Sequence, residues 1–145
     1  WRNFYKMPKY VFEVLQEVVK QKAKDDKVRV LKQNESWALK DVLRGTFDSK
    51  VAWNLPEGEP PYEASEPHNH PSNLIREHKK FKYFVKGLKE SEQLPKFKRE
   101  RLFLAMLESV HPDDAKLLIE MINKRPPKKL SRSIVEEAFP GLLRD

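Results

Sequence analysis

Apolar residues fall along the chain in runs whose spacing changes twice, and the changes divide it into three parts. After Pro8, a residue suited to a first helical turn, Val11, Phe12, Val14, Leu15, Val18 and Val19 recur at three- and four-residue steps, predicting a helix over about 8–23. Val28 and Leu31 behind Asp25 predict a second short helix. Trp37, Leu39, Val42 and Leu43 behind Asn34 or Ser36 predict a third, ended by Gly45. Then the period drops to two. Val51, Trp53 and Leu55 alternate with other positions, and Pro56, Pro60, Pro61, Pro67 and Pro71 follow, so residues 51–71 are expected as an extended, polyproline-like connector. A structureless stretch of this length either packs across the helices, through Trp53 and Tyr62, or serves as a binding segment.

Helical spacing returns behind Ser72, the expected cap. Leu74, His78, Phe81, Val85 and Leu88 describe one face of an amphipathic helix that stops at Gly87. Pro95 opens another, and Pro112 a third with Asp113 and Asp114 at the positive end of its dipole. Ser131 or Ser133 caps a last short helix through Phe139, with Ser133 and Glu136 at capping-box spacing. The fold class is therefore all-α: a single domain over 1–145, a compact bundle of about six or seven short-to-medium helices with the connector packed across it. Residues 1–6 read as a non-native or flexible extension, because Met7 followed by Pro8 looks like a natural start.

Charge sharpens this picture more by its placement than by its total of +7. Residues 51–75 carry no basic and 4 acidic residues, whereas 76–101 carry 10 basic and 4 acidic. In the basic part, Arg76, Lys79, Lys80, Tyr83 and Lys86 share one face of the expected helix, opposite Phe81, Val85 and Leu88. Lysines on a wet helix face need no further reason to be there, but a tyrosine among them does. Its ring would stack on a base while the ammonium groups met phosphates, or would anchor a protein partner. Lys96, Lys98, Arg99 and Arg101 extend the patch if the next helix packs alongside. The tract Lys124–Lys129 reads as an exposed basic turn.

Candidate chemistry is sparse. With no cysteine there is no disulfide, thiolate metal site or cysteine nucleophile, and no glycine-rich loop or serine elbow is present. His68 and His70 project to one side of an extended segment, and with His78 and a glutamate from Glu57 to Glu66 they form a weak metal candidate, against the plainer reading of a solvated loop. Asp113, Asp114 and Lys116 contain the elements of a nuclease motif, but crowded into one turn beside Pro112 they fit helix initiation better. Trp37, Trp53 and Tyr62 either line an aromatic pocket or hold the connector down, and the second is preferred. The expectation is a non-enzymatic protein without cofactor.

The segments N-E-S-W-A-L-K-D-V-L-R-G-T-F-D, L-P-E-G-E-P-P-Y, F-K-Y-F-V-K-G, F-K-R-E-R-L-F, L-E-S-V-H-P-D-D-A and V-E-E-A-F-P-G-L carry a further signal. From about Met7 to Leu143 the chain resembles a family of small uncharacterised proteins of T4-like myophages of marine cyanobacteria. The resemblance implies a phage origin and a place in the host cytoplasm or the virion, and it carries no site residues. Together these readings give an accessory protein that binds a host or phage protein. Nucleic-acid binding through residues 76–101 and a minor structural role in the virion are the alternatives. No stretch reaches the ~18 apolar residues of a membrane span, and the start lacks the apolar core of a signal peptide.

Overall fold

The structure, a computed structural model, describes residues 9–144; the extension expected over 1–6 lies outside them. Among the described residues there are α1 (Val11–Lys20), α2 (Lys24–Gln33), α3 (Trp37–Phe47), α4 (Leu74–Glu77), α5 (Lys89–Glu92), α6 (Lys96–Ser109), α7 (Pro112–Ile122) and α8 (Arg132–Ala138), with a 3₁₀ segment (His78–Phe84) between α4 and α5 and no strand. The fold is an all-α bundle.

Helix α7 is central because it is apolar on most sides: Ala115, Leu118, Ile119, Met121 and Ile122 are all buried. It packs against α1, α3 and α6, while α2 lies against α1 and α8. Caps follow simple chemistry. The Ser36 hydroxyl accepts the Leu39 N–H, and that of Ser131 accepts the Ile134 N–H. Ser133 is inside α8 rather than its cap. Helix α2 starts one residue ahead of Asp25, behind Ala23, so Asp25 and Asp26 act through the dipole of its first turn instead of as caps. Gly45 does not end α3, which runs on to Phe47.

The connector holds no helix or strand, as its prolines require, but it is not extended throughout. It turns back at 66–69, where Asn69 N–H donates to Glu66 O at 3.1 Å, so His68 and His70 do not lie along one extended segment. It is pinned from outside. Trp53 is buried, and its indole N–H donates to the Gly45 carbonyl at 2.9 Å. An isolated antiparallel bridge pairs Trp53 with Val85, with Asn54 N–H donating to Phe84 O at 2.6 Å and Lys86 N–H to Ala52 O at 2.8 Å. Further along, Gly58 N–H donates to Asn123 Oδ1 and Glu63 N–H to Glu108 Oε2, both at 2.9 Å, and the Ser65 hydroxyl donates to the Val110 carbonyl. Tyr62 packs, half-buried, against the core. Trp53 and Tyr62 thus hold the connector down. Trp37 takes no part: it is 64% exposed, with the Lys40 amine 4.8 Å from its ring. No helix among the described residues is long and apolar enough to cross a membrane.

Candidate functional site

The amphipathic helix expected over 74–88 is instead three short pieces. Asn73, not Ser72, caps α4 by accepting the Arg76 N–H at 3.1 Å, and the Ser72 hydroxyl donates to Glu77. After four α-helical residues the chain tightens to three residues per turn, which aligns His78, Phe81 and Phe84 toward the interior. The bridge to the connector then draws Val85 into extended backbone, and Gly87 turns the chain at φ 88°.

This rearranges the expected basic face. At three residues per turn Tyr83 aligns with Lys80, while Lys79 aligns with Lys82, and Lys86 lies in the bridged segment. Tyr83 is half-buried against the core, so less of its ring is open than the sequence suggested. Lys80 pairs with Glu77 at 3.1 Å. Arg76, Lys79 and Lys86 are exposed and make no ion pair among the described residues.

Of the four cations expected from α6, Lys96, Lys98 and Arg101 are exposed, but Arg99 is buried. Its Nε donates to the Asn54 carbonyl at 2.8 Å, and a terminal nitrogen donates to those of Ser91 and Leu94 at 3.0 Å each. A guanidinium matches three carbonyls from three directions, so this residue ties the connector to α5 and belongs to the architecture. What the sequence reading missed on α6 is apolar. Phe103, Met106 and Leu107 face inward, yet Phe97 is 61% and Leu102 41% exposed, about 140° of helix rotation apart at the two edges of the outer face, with Lys98 and Arg101 between them. That doubled apolar pattern was visible in the sequence as a helix hydrophobic on two sides.

The histidines separate. His68 is exposed. The His70 ring bonds the Ser72 carbonyl through Nδ1 at 2.8 Å and the Tyr10 hydroxyl through Nε2 at 2.9 Å. His78 Nδ1 lies 2.6 Å from Asp41 Oδ2. The expected trio is therefore not gathered in one place, and among the described residues no group of three or more such ligands is placed to hold a metal ion.

His70 belongs to another assembly. Its ring stands 5.6 Å from that of His111, whose Nδ1 accepts the Asp113 N–H and so caps α7, and both rings contact Tyr10. Beside them Asp114 is only 1% exposed. Its Oδ1 accepts the Phe12 N–H at 2.9 Å and its Oδ2 is buried without a partner among the described residues. Burial pushes this carboxyl up to about 7, and burial draws the His111 imidazole down. Asp114 shares a helical row with Leu118 and Met121, the sequence signal that it points inward.

A cavity of about 410 Å³ opens between α3 and the 3₁₀ segment, with Asp41 and His78 in its wall and Arg44, Lys79 and Lys82 around it. A second, of about 500 Å³, lies between α1 and α7 beneath the tract Arg125–Lys129. That tract is partly engaged: Arg125 pairs with Glu59 and Glu120, and the Lys124 amine before it donates to the Gly45 and Asp48 carbonyls.

A protein-family model described as a family of unknown function (DUF6433) matches residues 14–128. No curated protein matches the chain.

Proposed function

Because the chain belongs to that family of unknown function, membership brings no activity with it, and we propose from the surface that it is a non-enzymatic protein that binds another protein through the outer face of α6. The observation that carries this reading is the exposure of Phe97 and Leu102 among Lys98 and Arg101. Cations flanked by large apolar side chains suit a partner surface that carries acidic groups between apolar ones. The resemblance to T4-like phage proteins supports a host or phage protein in an infected cell as that partner, or a position in the virion.

Nucleic acid is the second reading, favoured by the Phe97 ring standing between Lys96 and Lys98 with Arg101 one turn on. Nuclease-treated affinity capture from infected host cells, with wild type compared against Phe97→Ala/Leu102→Ala, separates the two. The docking reading expects a protein that survives nuclease and is lost with the double variant. Recovery of nucleic acid alone, or of the same proteins with both baits, refutes it.

A further inference from the structure

The cavity between α3 and the 3₁₀ segment has chemistry of its own, away from the α6 face. Its wall carries the cations Arg44, Lys79, Lys82 and Arg144 against a single carboxylate, Asp41. That carboxylate is already held by His78 at 2.6 Å and lies 3.8 Å from Arg44, and Arg144 is paired with the buried Asp48 at 3.1 Å. Lys79 and Lys82 make no ion pair among the described residues, although the Lys82 amine lies 5.5 Å from the Tyr83 ring centre. The positive charge is therefore in excess around the opening. Asp41 also fixes the His78 ring by Nδ1 and leaves Nε2 without a hydrogen bond among the described residues. The apolar part of the wall is Trp53 and Phe81, edge to face with ring centres 5.9 Å apart, together with Val85.

Basic groups around the opening and aromatic rings in the wall select an amphiphilic anion. We propose that this cavity binds a small phosphomonoester with an aromatic body, the phosphate meeting Lys79, Lys82 and Arg44 and the ring lying against Trp53 and Phe81. A phosphomonoester carries more charge than a diester, which matches two uncommitted ammonium groups near an arginine. The volume of about 410 Å³ lies in the range that takes such molecules.

Calorimetric titration of the full chain with adenosine 5′-monophosphate tests this. Adenosine, inorganic phosphate and a short single-stranded oligonucleotide lacking a terminal phosphate serve as the other arms. The nucleotide is expected to bind at least roughly tenfold more tightly than each of them, and a Lys79→Gln/Lys82→Gln variant to lose roughly tenfold in affinity while its melting temperature stays at the wild-type value. No heat with the nucleotide overturns the proposal. So does equal binding of phosphate, adenosine or the oligonucleotide, or undiminished nucleotide binding by the variant.

Discussion

The indole of Trp53 occupies the place where a side chain on residue 45 would have to stand: a Cβ on Gly45 would fall 2.5 Å from Trp53 Cζ2 and 2.8 Å from Met121 Sδ. The glycine is there to let connector and helix meet. Both neighbours sit in the core, so Gly45→Ala is an overpacking change, expected to cost about 1–3 kcal/mol despite the higher helix propensity of alanine. A fall in the urea midpoint would register it, and an unchanged or raised midpoint would show that the indole gives way freely.

Asp114 supplies a pH dependence with a definite sign. Burial raises its carboxyl from 3.8 to about 7, against the opposing Phe12 N–H, so the folded chain holds this proton more tightly than the unfolded one. Its contribution is fully present below the unfolded value and is lost as pH rises through about 7. Asp114→Asn keeps an acceptor for the Phe12 N–H and carries no charge. The stability of the variant relative to wild type should therefore increase between about pH 5 and about pH 8, by an amount on the order of a few kcal/mol. Paired urea titrations at the two pH values read this directly, and a difference independent of pH would contradict it. His111 acts oppositely: its imidazole is drawn down, so its contribution is lost as pH falls below the ordinary imidazole range.

Lys124 sits in left-handed backbone at φ 55°, where Lys124 N–H donates to Met121 O and Arg125 N–H to Glu120 O in the helix ending usually formed by glycine. Its amine explains the exception, donating to Gly45 O at 2.7 Å and Asp48 O at 3.0 Å. Lys124→Gly would relieve about 1 kcal/mol of backbone cost but remove two charge-assisted hydrogen bonds, each worth about 1.5–3 kcal/mol. Net destabilisation is expected in thermal unfolding, and a gain in melting temperature would show that the amine contributes little.

Arg99→Lys separates architecture from binding. A single ammonium does not reproduce the fork that reaches Asn54, Ser91 and Leu94, so a loss of about 1–3 kcal/mol is expected in chemical unfolding. Partner capture at a temperature where the variant stays folded should be unchanged. Capture that fails with the fold intact would return Arg99 to the docking face.

Much of the bundle is legible from local pattern. The apolar steps of α1, α3 and α7, and the caps Ser36 and Ser131, follow from rules that act within a few residues. The segment 74–88 is not, because Leu74, His78, Phe81, Val85 and Leu88 fit an α-helix equally well. What decides it is the pairing of residues 52–54 with 84–86, about thirty positions apart, which no local window contains. The candidate sites divide the same way. Arg99 lies in the row of Phe103 and Met106, and Asp114 in that of Leu118, so their burial could have been read from the period. The meeting of His78 with Asp41, on a different element, could not.

The manner in which the connector is held has a consequence for how the chain tolerates change in length. It is fastened at separate points, at Asn54, Gly58, Glu63 and Ser65, rather than along a continuous ladder. Residues added between two fastenings would bulge into solvent and leave the next fastening in register, since lengthening a surface loop costs little entropy. Residues added between Trp53 and Asn54 would shift one side of the bridged pairing that follows the 3₁₀ segment, and with it the wall of the cavity. Length variation is accordingly permitted along most of the connector and forbidden at its first fastening.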